Sequence, residues 1–418
     1  MRSPTAWDWE LGRKVIAESV APLEGHLWQE EAQFAPDGSA FAAVVCVEEG
    51  AFSLRVNDTV WDTTFEKAWY PRYTPDGRLT ALVQIDGEWT LAVDGTPWEE
   101  MYGFVWDTHF GSNGDIILPV QQDMQYGLSI NGTPWETLYE NANNFSVSPS
   151  GARTAAVVQT VSLGQADIET YQKGAYTVAI DGEPWPRVFI NAWTPVFDTH
   201  GRRVAAQVRL SLYDYTIAVD GEPWPVTFPC VWEPVFDPAT GSVAAPVRKD
   251  GRWGMALDGN LIWPANFFQC WHPRFSPDGR RLWAIVAPDY GSFTVACDGI
   301  PWGNRFPVVS DLVLSPDGSR AAAVGNHDNT RFSVIVDDKA WPGEWDMVWA
   351  PVFSADGAHV AVKARKGDTF HFIVDGKPWR EGFSQAGTPV FGPDGDRLLM
   401  CGVQNGAAVR HIVACNDF

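Results

Sequence analysis

Short runs in which apolar and polar residues alternate recur along the whole chain, separated by turns rich in aspartate and glycine. In residues 349–379, WAPVFSADGAHVAVKARKGDTFHFIVDGKPW, the apolar run PVF leads into a Ser-Ala-Asp-Gly turn. The runs HVAVKAR, FHFIV and KPW follow, with a further turn before each of the last two. Alternation with a period of two, bounded by Asp-Gly turns, is typical of antiparallel strands joined by hairpins. The unit therefore predicts four short strands, and no apolar repeat of helical period and length interrupts them.

This unit is repeated at a nearly constant spacing of about 39 residues. The turn after the first strand has its glycine at ten positions: Gly38, Gly77, Gly114, Gly151, Gly201, Gly241, Gly279, Gly318, Gly357 and Gly395. The tryptophan of a DGxPW phrase and its variants alternates with these glycines one for one, from Trp61 to Trp379. Four antiparallel strands in about 40 residues are the pattern of a β-propeller blade.

The two ends of the chain complement each other. The last repeat stops after its third strand without a Pro-Trp pair, whereas Pro4 and Trp7 stand before the first repeat. We expect this N-terminal segment to supply the fourth strand of the tenth blade, which closes the ring and removes a sheet edge. The prediction is an all-β fold, one propeller domain over residues 1–418 with about ten four-stranded blades in a single closed ring. Two five-bladed propellers are the alternative.

Two series of tryptophans differ in their regularity. The outer series, on the fourth strands, is complete, which a repeated packing need explains: Trp7, Trp61, Trp98, Trp135, Trp185, Trp224, Trp263, Trp302, Trp341 and Trp379. The inner series lies eight or nine residues before the turn glycine, at the start of the first strand, and is incomplete: Trp69, Trp106, Trp193, Trp232, Trp271 and Trp349. We predict a structural role for the outer series. For the inner series, packing and a protein-docking patch are the two alternatives.

One repeat is longer than the others because residues 159–175, QTVSLGQADIETYQKGA, are inserted between its second and third strands. In a propeller this loop is expected on the face where the first strands begin, and loops inserted on one face of a repeat array often bind partners. Gln165, Asp167 and Tyr171 are its candidate docking residues. A long hairpin without a binding role is the alternative.

Charge narrows the class of partner. The formal net charge is −22, and the acidic residues are spread along the chain rather than gathered in a tail. Such a surface repels phosphate backbones and anionic lipid, so we expect no nucleic-acid partner, whereas a basic protein is compatible. No run approaches the roughly 18 apolar residues of a membrane span, and the N-terminus lacks the apolar run of a signal peptide. We therefore expect a cytoplasmic protein with no direct membrane span.

Motifs of catalysis and cofactor binding are missing from the sequence. The Asp-Gly pairs suit tight turns, and Asn131-Gly132 shows that the turn is kept without the charge. The six cysteines and eight histidines have no metal-ligand spacing, and there is no Gly-x-Ser-x-Gly elbow. We expect a protein that is not an enzyme and has no metal or cofactor. The alternative is a propeller enzyme or small-ligand binder whose polar groups converge on a channel mouth.

Two family resemblances add to this interpretation. FSPDG at 275–279 and VLSPDG at 313–318 resemble the WD40-like repeats of TolB-type proteins and of prolyl-oligopeptidase propellers, which implies the fold. The length, the DGxPW series and the lack of cofactor motifs resemble the tryptophan-rich cytoplasmic subunit of the transmembrane cytochrome (Tmc) complexes of sulfate-reducing bacteria. That resemblance implies an accessory subunit of a membrane electron-transfer complex, peripheral to the inner membrane through its iron–sulfur and cytochrome partner subunits, which carry the cofactors.

Overall fold

The computed structural model describes residues 4–165 and 167–418, and nearly all of its regular structure is β-strand. Residues 1–3 of the predicted domain and residue 166 of the predicted insertion lie outside the described residues. The strands form ten antiparallel sheets, which we number in chain order as blades 1 to 10. In every blade the first strand pairs with the second, the second with the third and the third with the fourth. The prediction of ten four-stranded propeller blades is confirmed.

The inner half of each blade is made of its first and second strands. The first strands, four of which are interrupted, are Trp28–Phe34, Lys67–Tyr73, Phe104–Val105 with His109–Phe110, Ala142–Val147, Asn191–Phe197, Cys230–Val231 with Val235–Phe236, Gln269–Phe275, Val308–Leu314, Met347–Val348 with Val352–Phe353, and Gln385–Ala386 with Val390–Phe391. The second strands are Phe41–Glu48, Leu79–Ile85, Ile116–Gln122, Thr154–Gln159, Val204–Arg209, Val243–Lys249, Leu282–Asp289, Ala321–Asn326, Val360–Lys366 and Arg397–Gln404.

The outer half of each blade is made of a longer third strand and, in most blades, a two-residue fourth strand. The third strands are Ala51–Val56, Glu88–Val93, Gln125–Ile130, Tyr176–Ile180, Tyr215–Val219, Arg252–Leu257, Ser292–Cys297, Phe332–Val336, Thr369–Val374 and Ala407–Ala414. The fourth strands are Thr59–Val60, Thr96–Pro97, Thr133–Pro134, Glu183–Pro184, Glu222–Pro223, Asn260–Phe267, Ile300–Pro301, Lys339–Ala340, Lys377–Pro378 and, for blade 10, Gly12–Ala17.

The last blade is completed by the N-terminal strand, as predicted, but by a later stretch than Pro4–Trp7. Gly12–Ala17 pairs antiparallel with the third strand of blade 10, with Gly12 opposite Ile412. Pro4–Ala6 forms a 3₁₀ turn instead. Proline lacks the N–H that a strand donates, whereas the sequence RKVIA offers an unbroken set of donors. Trp7 stacks on Trp9 with the ring centroids 6.1 Å apart and precedes its fourth strand, whereas Trp263 lies within its own and the other outer tryptophans directly follow theirs.

The chain divides into two compact units. One comprises the part up to Asp107 together with the part from Val309, and the other comprises Thr108–Val308. The first unit holds blades 1, 2, 9 and 10 and nearly all of blade 8, the second holds blades 4 to 7, and the boundary passes through blade 3. The units are therefore not the consecutive halves of the sequence that two separately closed five-bladed propellers would give.

Apolar cores lie between neighbouring blades rather than within them. Val204 and Val208 of the second strand of blade 5, for example, are packed with Val178, Trp185 and Phe189 of the preceding blade or the linker after it. The second strands are buried along most of their length on both faces, and alanine and valine predominate there. Small and β-branched side chains suit this position because two sheets must approach each strand closely.

The insertion between the second and third strands of blade 4 contains a short helix, Ile168–Lys173, which the apolar pattern did not predict. The carboxylate of Asp167 accepts a hydrogen bond from the Thr170 amide at 3.0 Å and caps its N-terminus. Lys173 pairs with Glu169 at 2.7 Å one turn apart. None of its residues is buried, which explains why the helix has no apolar stripe to detect.

Candidate functional site

The outer tryptophans lie between blades. At six of the turns between the third and fourth strands, a glycine faces the tryptophan of the preceding blade: a Cβ at Gly182 would stand 3.2 Å from Cβ of Trp135, and one at Gly221 would stand 3.4 Å from Cβ of Trp185. The same contact joins Gly95 to Trp61, Gly259 to Trp224, Gly299 to Trp263 and Gly376 to Trp341. Glycine thus serves both the positive φ of the turn and the close approach of the ring. All ten outer tryptophans, including Trp98, Trp302, Trp379 and Trp7, are buried or half-buried.

The inner tryptophans contact a second aromatic series that the sequence analysis missed. Five of them lie against the ring at or near the start of their own blade's third strand: Trp69 against Trp89, Trp193 against Tyr215, Trp232 against Trp253, Trp271 against Phe293, and Trp349 against Phe370. Most of these third-strand aromatics stand nine residues before the outer tryptophan, as Trp89 does before Trp98, so a count of spacings would have found them. Trp232 is 38% exposed and the other inner tryptophans are half-buried.

In the first unit, rings of blades 1 to 3 surround a cleft of about 530 Å³. Its walls carry Trp28, Phe52, Trp69, Trp89 and Phe104, which we call the aromatic cleft. Trp28 lies 5.6 Å from Phe52, and Trp89 lies 5.5 Å from Phe104, as centroid distances. Trp28 is 38% exposed and Phe104 is 41% exposed, although large aromatic side chains are usually buried in a folded protein.

The structure links two of the predicted docking residues through this cleft. Trp69 contacts Trp89 edge-on at 6.4 Å, and Trp106 stacks on Phe104 at 6.2 Å with an interplanar angle of 17°. Trp89 and Phe104 contact each other, so the four rings form one continuous series. Trp193, Trp232, Trp271 and Trp349 behave differently, because among the described residues no ring contact joins any two of them.

Charged groups border the aromatic cleft. Glu30 and Glu66 both line it and are exposed. Glu66 accepts a hydrogen bond from the Gly87 amide at 3.0 Å, which holds its carboxylate at the rim. Lys67 Nζ lies 5.7 Å from the centroid of the Trp89 ring, so one cation–π contact is already made within the chain. The cleft thus combines aromatic faces with two carboxylates.

The predicted insertion lies beside the start of a first strand within blade 4. The amide of Gln159 donates to the carbonyl of Asn141 at 2.9 Å, and the amide of Thr160 donates to the carbonyl of Ala175, which closes the base of the loop. Gln165 is exposed, whereas Asp167 and Tyr171 are half-buried. The hydrogen bond from the Thr170 amide lowers the pKa of Asp167, so this carboxylate is occupied as a helix cap.

Polar side chains just after the inner positions tie first strands of adjacent blades together. The carboxylate of Glu31 accepts from the Tyr70 amide at 2.6 Å, and the Tyr70 hydroxyl donates to Asp107 at 2.8 Å. In the second unit, Glu233 accepts from the His272 amide at 2.7 Å. Tyr70 and His272 have positive φ, at 55° and 51°, within irregular stretches of their strands. Sequence reasoning missed these bonds because a strand bulge leaves no local signature in these repeats.

Among the residues that the structure describes, the thiols and histidines form no recognisable chemical centre. All six cysteines are unpaired, and burial raises the pKa of Cys401 and of Cys415 to about 12, so both thiols stay protonated at neutral pH. In the described ranges, no three His, Cys, Asp or Glu side chains are grouped so that they could hold a metal ion. Within the same ranges, no helix has the length and apolarity needed to cross a membrane.

Comparisons with known proteins agree with the fold. No protein-family model and no curated protein matches the chain. The solved structure of a eukaryotic initiation factor is similar over 81% of this chain and 93% of its own, with 11% identity and a TM-score of 0.50. The β-propeller domain of Cps50 (Swd1) from Myceliophteria thermophila covers 65% of this chain at 11% identity (96% of that domain, TM-score 0.31). TolB from Acinetobacter baumannii covers 74% at 15% identity (78% of TolB, TM-score 0.30). At 11% identity the likeness to the initiation factor concerns the fold alone.

Proposed function

We propose that this protein is a non-catalytic scaffold that docks partner proteins, and that the aromatic cleft is one of its docking sites. The observation that carries the proposal is the exposure of Trp28 and Phe104 in the wall of a concave site. Tryptophan and other aromatic residues are enriched at the centres of protein interfaces, because a large rigid ring buries much area at a low cost in conformational entropy.

The occupant proposed for the cleft is a lysine or arginine side chain on a basic segment of the partner. Its apolar stem would lie along the rings while its cation approaches Glu30 and Glu66. The net charge of −22 supports this choice, since it favours encounter with a basic surface. A hydrophobic segment without a cation would gain nothing from the two carboxylates.

A more specific proposal names the complex in which the protein acts. The length, the DGxPW series and the lack of cofactor motifs resemble the Tmc subunit, and on that ground we propose iron–sulfur and cytochrome subunits of a membrane electron-transfer complex as the partners. The protein would be peripheral to the inner membrane through them and would carry no cofactor itself. Further docking residues are proposed from the incomplete inner tryptophan series and from the insertion at 159–175: Trp69, Trp106, Trp193, Trp232, Trp271, Trp349, Gln165, Asp167 and Tyr171.

Affinity purification from detergent-solubilised native membranes tests the proposal. We expect the wild type to recover subunits with haem and iron–sulfur clusters, identified by mass spectrometry. The double variant Trp28→Ala/Phe104→Ala is expected to lose at least about tenfold of this recovery, as hot-spot truncations do. Tyr290→Ala is the matched control, because Tyr290 is an 87% exposed aromatic residue of blade 7, outside the cleft.

Three results would contradict the proposal at different levels. Recovery of the protein alone would overturn its place in a redox complex. Equal recovery by the wild type and the cleft variant would overturn the cleft as a docking site while leaving the scaffold role intact. Haem or iron–sulfur absorption bands in the purified protein would overturn its lack of a cofactor.

Substituting Glu30→Gln and Glu66→Gln together tests the charge of the occupant. If the occupant is cationic, the double variant should recover less of the partner, and the recovery should depend less on salt.

A further inference from the structure

A second cavity of the first unit, of about 470 Å³, has a lining of unusual charge. It is bounded by the first strands of blades 1, 2 and 10 and by second-strand residues of blades 9 and 10. Two cations, Arg72 and Lys363, are among its described lining residues, and no carboxylate is. The chain has 52 acidic and 30 basic residues, so a cavity wall with only cations runs against its composition.

Lys363 is the more unusual of the two cations. It stands in the second strand of blade 9, six residues after the turn glycine, where Val44, Val157 and Ile285 stand in other blades. Its Nζ donates to the carbonyl of Ala386 at 3.1 Å. No carboxylate of the described chain lies within ion-pair distance of it. Burial lowers the pKa of Lys363, as expected for an ammonium group that lacks an anionic partner.

A ring holds this ammonium in place. Lys363 Nζ lies 4.4 Å from the centroid of the Trp349 ring, a member of the inner series. Its flexible stem is therefore fixed between the ring and the Ala386 carbonyl, and the cation is pre-positioned at the cavity wall. An ammonium group has three donor hydrogens, and only one carbonyl acceptor is provided for them.

The rest of the lining supplies further donors. Arg72 donates to the Tyr70 hydroxyl at 2.9 Å and lies 3.7 Å from Asp107, so groups of this chain hold its positive charge at the wall. Gln33, Gln385 and Thr388 add neutral polar groups to the wall. The thiol of Cys401 also lines the cavity, but burial raises its pKa to about 12, so it is protonated and unreactive at neutral pH.

We propose that this cavity binds a small anion bearing carboxylate or phosphate groups, with Lys363 as its partner. A partly buried charge that lacks an anionic partner is unfavourable, and an anion that accepts from Lys363 offsets this while gaining charge-assisted hydrogen bonds. The volume is in the range of small-molecule sites. This site is separate from the aromatic cleft, because the two have no lining residue in common.

Calorimetric titration of the full chain with two probes, inorganic phosphate and succinate, tests the proposal and separates the two anion chemistries. We expect at least one probe to bind saturably, with a dissociation constant below about 50 mM at constant ionic strength. Such a value is at the weak end of specific affinities. Lys363→Met keeps the length of the side chain without its charge and should weaken that binding about tenfold or more. Lys377→Met, which removes an exposed lysine of the same blade, should leave it unchanged.

Two outcomes of the titration would overturn the proposal: no saturable binding of either probe, or equal affinity of the wild type and Lys363→Met. A second measurement uses no variant of Lys363. In wild-type protein labelled with 5-fluorotryptophan, the ¹⁹F resonance of Trp349, assigned by its loss in Trp349→Phe, should shift on addition of the anion that binds. Because the ammonium group lies against this ring, an unmoved Trp349 resonance at saturation would also overturn the site.

Discussion

Replacing Arg55 with methionine is expected to loosen the connection between the N-terminal strand and blade 1. Arg55 lies in the third strand of blade 1, and its side chain is completely buried. Its guanidinium group donates to the carbonyls of Ser19 and Ala21, which follow the N-terminal strand by only a few residues. It also donates to Gln29 and to the carbonyl of Asn57. Methionine keeps much of the apolar stem but none of these donors.

The cost follows from the acceptors that would be left. Four acceptors lose their donor, and an acceptor that stays buried and unpaired costs about 1–3 kcal/mol. Ser19 and Ala21 are exposed residues, whereas Gln29 and Asn57 are half-buried. About two acceptors then stay buried with neither a donor nor water, so the local destabilisation is about 3 kcal/mol. At about 1.4 kcal/mol for each factor of ten, local opening becomes about 100-fold more frequent.

Hydrogen exchange measured by mass spectrometry is the assay. Peptides that cover Gly12–Ala17 should exchange about 100-fold faster in Arg55→Met than in the wild type, whereas Val204–Val219 should be unaffected. Arg280→Met is the control, because that side chain is 85% exposed and makes only a surface ion pair with Asp278. Unchanged exchange at Gly12–Ala17 in a folded variant would refute the reasoning. An equal increase at Val204–Val219 would show that the cost is global instead.

Three further changes test other parts of the structure. Gly182→Ala and Gly251→Ala both place a side chain at positive φ, but of the two only Gly182 faces a ring, that of Trp135. In urea titrations we expect Gly182→Ala to lower the free energy of unfolding by about 2–3 kcal/mol and Gly251→Ala to lower it by about 1 kcal/mol. Equal losses in the two variants would contradict the interblade contact. Burial lowers the pKa of His411, so below about pH 6.5 the unfolded state binds more protons and stability falls as the pH falls. The melting temperature of His411→Asn should accordingly drop less between pH 7 and pH 5 than that of the wild type, and an equal drop would contradict this. Iodoacetamide at pH 8 should leave Cys401 unmodified in the native protein and modify it in urea, as read by mass spectrometry; rapid native labelling would contradict its burial and its pKa of about 12.

The blades could be predicted because their information is local. Each is a run of hairpins whose Asp-Gly turns and alternating strands lie within about 40 residues, so no long-range pairing had to be guessed. The closing strand is the exception. Pro4 and Trp7 match the repeated phrase, yet Gly12–Ala17 forms the strand, because the register is decided by contacts nearly 400 residues away, such as the one from Arg397 to the Trp9 carbonyl. A short sequence motif such as Pro4-x-x-Trp7 contains no information on such a distant contact.

The candidate site was predictable only in part for the same reason. The inner tryptophans follow a spacing, but Trp28 and Phe104 do not belong to that series, and only the fold brings them beside Trp69 and Trp89. Lys363 was visible in the sequence as a charge within an alternating strand. Its lack of a carboxylate partner depends on which side chains of neighbouring blades approach it, and a single sequence does not contain that arrangement.

The pairing of Gly12–Ala17 with Ala407–Ala414 sets an order on synthesis. The earlier of the two strands must wait for the later one, because Ala407 follows Ala17 by 390 positions (407 − 17). At about 5–20 residues per second the ribosome needs roughly 20–80 s for that stretch. Throughout this time the nascent chain carries an unpaired edge-forming segment with two apolar β-branched residues, Val15 and Ile16. Arg13 and Lys14 beside them are the charges that discourage such a segment from pairing with another chain before its partner emerges.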